Sequence, residues 1–176
     1  MNTLDPVSDA AAYQAFLLAA LGEDDPAVAQ ATTVAAMRTL IDEAGADLRT
    51  RPEPGEWSVM ECLGHMLDGE LVSSARYRWI LCEDQPELVG YDQDAWVAGL
   101  DHGAGDPEAL LEFFGAMRRA NLDLWARTTP EDRERVGLHR ERGPESYSLQ
   151  FRLIGGHDRI HLVQARATLE AVRALG

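Results

Sequence analysis

The chain has 176 residues, 45% of them hydrophobic, which is enough for one compact domain with a sizeable core and short for two. Thirty acidic residues against sixteen basic ones give a formal charge of -14, and every basic residue is Arg. Such a field repels phosphate backbones and anionic lipid, so neither nucleic acid nor a membrane is expected as a partner.

The opening residues, MNTLDPVSD, lack the basic start of a signal peptide, and the apolar run at 15–21 is too short to span a bilayer. Asp5-Pro6 has the form of an N-cap followed by a first-turn proline, which predicts a short helix ending at Leu21 before Gly22. Asp25-Pro26 repeats that signal. Val28, Val34, Met37, Leu40, Ile41 and Leu48 then recur at helical spacing, predicting a long second helix to about Arg49. Pro52, Pro54 and Gly55 make the next segment a turn.

Ser58-Val59-Met60-Glu61 matches a capping box, with Trp57 placed as its hydrophobic staple, and a helical pattern continues to about Cys82. The two cysteines, Cys62 and Cys82, lie twenty residues apart on this helix, roughly 30 Å at 1.5 Å per residue, too far to pair. Two free thiols and no disulfide framework suit a reducing compartment, so a cytoplasmic location is expected. Residues 85–105 read as a long connection carrying Tyr91, Asp92 and Trp96 as candidates to line a substrate entrance.

Asp106-Pro107 starts a further helix, which Thr128-Thr129-Pro130 stops. Residues 130–146 read as a polar loop; its Arg residues alternate with Glu134 and Glu141 and make a solvated face rather than a basic patch. The last helix is expected from about Ser148 to Leu175. No segment alternates long enough to predict a strand. The pattern therefore predicts an all-α protein, a single domain over residues 1–176, built as a four-helix bundle with an additional short N-terminal helix.

The candidate chemistry lies with histidine. His157 and His161 are four apart and share the stripe of Leu153, Ile160, Gln164 and Val172, so two imidazoles occupy the inward face of the last helix. Burying two polar rings without partners is costly, and one ion bridging them removes that cost. His65 lies in the stripe of Cys62, Gly69, Val72 and Trp79, also expected to face inward, and offers a third ligand. Three imidazoles leave a coordination position open and do not choose sharply among zinc, nickel, iron and copper. The competing reading is three core or surface histidines with no ion.

Around them, Asp68 is one turn past His65 and is the candidate general base or orienter of a ligand ring. Glu61 is already explained by the capping box. Gln164 is placed to hydrogen-bond near the site, Asp158 is expected on the surface, and Cys62 is either packing, a fourth ligand or a reactive thiol. His102 and His139 sit in polar connections and are expected to be exposed and uninvolved.

The segment from Glu56 to His65, EWSVMECLGH, resembles the W-S-x-x-E-x-x-x-H helix start of the DinB/YfiT superfamily, and His157 to Gln164, HDRIHLVQ, resembles its H-x-x-x-H-x-x-Q helix. Val89 to Trp96 is similar to a family loop of the form P-G-F-D-x-x-x-aromatic, with Val for Pro and Tyr for Phe. The resemblance implies a four-helix bundle in which His65, His157 and His161 bind one divalent ion, zinc or nickel, with water completing the shell. It implies a metal-dependent enzyme acting on a small-molecule substrate, either a hydrolase or a transferase using a low-molecular-weight thiol, and a possible homodimer. A non-catalytic metal-binding or stress-response bundle is the alternative.

Overall fold

The computed structural model describes residues 9–175. Among these residues seven α-helices run in chain order: α1 (Ala10–Leu21), α2 (Pro26–Ala44), α3 (Val59–Cys82), α4 (Gln93–Gly99), α5 (Pro107–Arg127), α6 (Pro130–Arg133) and α7 (Tyr147–Leu175). The helix start expected at Asp5-Pro6 lies outside the described residues.

The local signals act as the sequence predicts. Asp25 accepts from the Ala27 and Val28 amides at 2.7 and 3.3 Å, and Asp106 accepts from the Glu108 amide at 3.0 Å, each with a proline in the first turn. Ser58 and Glu61 form the full capping box of α3. The second helix is shorter than expected: it stops at Ala44 because Gly45 takes φ +52°, and Gly45–Arg49 continue as a 3₁₀ turn.

The four long helices α2, α3, α5 and α7 form the bundle; α7 packs on α2 and α3, and α5 packs on the same two. The chain is thus an all-α four-helix bundle, with α1 as the added N-terminal helix. Helix α1 lies along α7, where two glycines let the backbones close up. A Cβ on Gly156 would fall 1.9 Å from the Leu17 carbonyl oxygen, and one on Gly155 would sit 3.1 Å from the Leu21 side chain. Helix α7 is therefore covered by α1, α2 and α3, so most of its circumference is buried. The core divides into an aliphatic part around Met37, Leu63, Met66 and Phe114 and an aromatic part around Tyr77, Tyr147 and Phe151, where Trp125 stacks on Phe151 at 4.1 Å.

The connections hold more structure than expected. Three short strands, β1 (Glu87–Leu88), β2 (Val136–His139) and β3 (Gly143–Ser146), make a small sheet in the order β1-β2-β3, parallel then antiparallel. Strands of two to four residues are too short to alternate visibly, and the β1–β2 pairing joins segments about fifty residues apart, so local pattern does not reveal it. Val28 and Trp79, placed inward by periodicity, are exposed. Among the described residues no helix is long and apolar enough to cross a membrane.

Candidate metal centre

His65 stands two turns into α3, and His157 and His161 stand one turn apart near the middle of α7, at the contact between the two helices. All three are buried, and their ring nitrogens converge. His65 Nε2 lies 2.9 Å from His157 Nε2 and 3.1 Å from His161 Nε2. One ligand atom from each falls within 4.8 Å of the others. A tetrahedral ion with metal–nitrogen bonds of about 2.0–2.1 Å needs ligand nitrogens roughly 3.3 Å apart, so the three rings fit such an ion with small adjustments.

Packing holds the rings in place. Trp57 covers His65 and His161, with ring centroids 4.8 and 6.1 Å away. Gly69 leaves room for His157, since a Cβ there would be 3.1 Å from its Cε1. The Gln164 side-chain carbonyl accepts the His161 Nδ1 proton at 2.8 Å, which leaves Nε2 as a lone-pair donor facing the centre. His65 Nδ1 is buried without a hydrogen-bond partner.

The electrostatics favour neutral imidazoles. Burial, followed by the neighbouring rings, holds His65 far below the usual histidine range. Burial and Arg118 bring His157 down to about 4. Burial and His157 bring His161 to about 3, against the opposing pull of Gln164 and Asp158. Three neutral nitrogens aimed at one point are the state a cation requires.

The family model of the DinB superfamily matches residues 27–165. The chain belongs to that superfamily. It is similar to an Oceanobacillus iheyensis protein provisionally named a metal-dependent hydrolase, 26% identical over 124 residues that cover 70% of this chain and 72% of the relative. A Bacillus mycoides protein with the same provisional name is 23% identical over 124 residues, 70% and 71% of the two chains. The solved structure of Bacillus subtilis YfiT, described with reserve as a metal-dependent hydrolase of unusual four-helix bundle topology, superposes with a TM-score of 0.76 at 20% identity. The match covers 86% of each chain and establishes the shared fold.

In this DinB-superfamily chain two of the rings, His65 and His157, border a cavity of about 510 Å³. His65, Gly69 and His157 form one end; Tyr13, Leu17, Tyr91 and Asp92 also line it. The expected entrance residues Tyr91 and Asp92 are thus on the cavity wall, and Trp96 packs on Tyr91 at 4.5 Å. A volume of this size suits a small organic molecule.

Three expectations are corrected. His102 is buried: it packs on Gly64, where a Cβ would clash at 2.2 Å, and its Nε2 lies 2.7 Å from Asp68 Oδ2. His139 is buried as well, with Nδ1 2.9 Å from Glu141. Both sit in segments that look polar in sequence and are folded back onto α3. Asp158 is also buried rather than on the surface, because α7 is covered on several sides and turning away from the histidines leads to α2 and α5. There Thr33 donates to its Oδ2 at 2.8 Å, and Arg118 bridges it to Glu70, 2.8 Å away. Arg118 is a long charged residue on the buried face of α5, beside Leu111, Phe114 and Asn121, a signal that something acidic is buried opposite it.

Glu61 is held by the Ser58 amide and hydroxyl, each at 2.9 Å, and by Arg51. Burial opposes its ionisation, but these donors outweigh burial and keep the carboxyl below the usual range. Cys62 belongs to the aliphatic core, where burial pushes its thiol up to about 12. That is the environment of a packing cysteine and not of a reactive thiolate.

Proposed function

We propose that this protein is a metal-dependent hydrolase of small molecules, with one divalent ion, zinc or nickel, held by His65, His157 and His161. The convergence of three neutral, buried Nε2 atoms at the end of a cavity carries this reading. The provisional names of the relatives agree with it. When bound, such an ion supplies a Lewis acid that polarises a carbonyl and lowers the pKa of a water molecule toward about 7.

The chain's own residues do the rest. Trp57 and the packed faces of α3 and α7 wall the centre off from bulk water, and the cavity leaves the side of His65 and His157 open to substrate. Gln164 fixes the tautomer of His161. Asp68, one turn beyond His65, is assigned as the proton acceptor for the attacking water. Its Oδ2 lies 2.7 Å from His102 Nε2, and among the described residues no hydrogen bond is made to Oδ1. Burial raises the Asp68 carboxyl and His102 partly counters this, which moves the group toward the range of a working base. It also acts electrostatically on Tyr91 in the cavity wall.

Metal content and turnover test the reading. Protein purified without a histidine tag is expected to carry one divalent ion per chain and to hydrolyse members of an ester and amide panel. Asp68→Asn should keep the ion and lose about 10²–10⁴-fold in kcat. Absence of metal, or full activity in Asp68→Asn, overturns the corresponding assignment. Turnover that requires an added low-molecular-weight thiol and consumes it would replace hydrolysis by S-transfer at the same centre.

A further inference from the structure

The wall of the cavity follows one face of α3 from His65 through Gly69, Val72 and Ser73 to Arg76. Eleven residues at 1.5 Å each put about 16 Å of helix between its two ends. The metal centre forms one end, and Arg76 stands at the other.

Arg76 is only 7% exposed. Its Nη2 donates to the Val89 carbonyl at 2.6 Å and lies 3.3 Å from His139 Nε2, but its Nε is buried without a partner. Among the described residues no carboxylate forms an ion pair with it. The nearby acids are otherwise engaged. Glu145 is fully buried and accepts from Gln14 at 2.9 Å, from Arg142 at 3.0 Å and from Gln150. Glu141 faces His139 Nδ1, Asp92 caps α4 through the Ala95 amide at 2.9 Å, and Asp94 is exposed at the rim.

The other cation there, Arg142, is matched by Glu145. A buried guanidinium without a counter-ion is expensive, and a carboxylate is the planar acceptor that matches its fork of donors. Among the described residues lining this cavity, Arg76 is the cation without a carboxylate partner, and a single negative charge balances it. A phosphate dianion would overcharge a region already containing Glu145 and Glu141.

We infer that Arg76 receives a carboxylate of the substrate, so that the substrate is an elongated small organic acid whose reacting group reaches His65 and His157 at the opposite end of the cavity. The inference rests on the hydrolase reading for what happens at the far end, and on the geometry around Arg76 for the head group. Ser73, one turn before Arg76, and Tyr91 place hydroxyls on the same wall.

Calorimetric titration of the zinc-loaded protein with N-acylated amino acids, from acetylglycine to hippurate and acetylphenylalanine, tests this when each acid is paired with its neutral amide and inorganic phosphate is run beside them. At least one acid is expected to bind ten-fold or more tighter than its amide. Arg76→Gln should abolish that preference at unchanged zinc content, Arg76→Lys should retain part of it, and amide binding should be unaffected. No acid preference in the wild-type protein, a preference that survives Arg76→Gln, or phosphate binding tighter than every acid overturns the inference. An Arg76-dependent preference in protein that takes up no zinc would remove the metal reading and leave the carboxylate site standing.

Discussion

Gln164 Oε1 accepts the Nδ1 proton of His161 at 2.8 Å, one turn along the same helix, and this contact selects which nitrogen of His161 faces the centre. Replacing Gln164 by Leu removes the acceptor and frees the ring to adopt the other tautomer. Metal affinity should fall about 10–100-fold while the helical circular dichroism is unchanged. Competition with a chromophoric chelator measures it, and wild-type affinity in the variant would show that the ring is fixed by packing alone.

His161→Ala should abolish metal binding outright. Two remaining imidazoles, His65 and His157, hold an ion far more weakly than three, and no fourth His, Cys, Asp or Glu joins the cluster among the described residues. Elemental analysis after dialysis is the measurement. Full metal stoichiometry in the variant would mean that the ion sits elsewhere.

Arg118 neutralises two buried carboxylates, Glu70 and Asp158, and Asp158 is the neighbour of a proposed ligand. Burial works against the Arg118 charge, but the two acids outweigh it and raise its pKa further. Arg118→Met should cost about 3–5 kcal/mol, because both carboxylates lose their counter-ion. Urea unfolding at neutral pH reads this loss directly. A cost under about 1 kcal/mol would contradict the burial of the network.

Gly156→Ala places a Cβ 1.9 Å from the Leu17 carbonyl oxygen, and backbone has no rotamer with which to yield. The expected loss is about 1–3 kcal/mol, with α1 displaced from α7. Thermal unfolding measures the first, and limited proteolysis before Leu21 the second.

Acid should weaken the metal-free protein. His139 and His157 are held down to about 4, and His161 to about 3, chiefly by burial. Unfolded, each binds a proton at about 6.5, so the unfolded state carries more protons through this window. Stability is therefore full above pH about 6.5 and declines as pH falls toward 4. Urea midpoints between pH 7 and pH 4.5 should show that slope, and His139→Asn should make it shallower. A flat profile would place these rings in water.

The sequence alone determined what depends on short-range chemistry. The capping box at Ser58, the helix starts at Asp25-Pro26 and Asp106-Pro107, the five main helices and the shared face of His157 and His161 follow from spacings of three and four residues, which the helical pitch fixes locally. The pairing of His65 with the α7 histidines was legible through the inward stripe of each helix and through motifs resembling the DinB superfamily.

Only the tertiary structure decided the rest, because it depends on which distant surfaces meet. Asp158 is buried because α7 is covered by three helices, a fact no single helical wheel contains. His102 and His139 are buried because polar connections fold back on α3, His102 in a 3₁₀ turn and His139 in a strand of the small sheet. Arg76 became a candidate ligand for substrate once the cavity and the prior engagements of Glu145, Glu141 and Asp92 were known: charge in a sequence is visible, whereas the lack of a counter-ion is a property of the packed molecule.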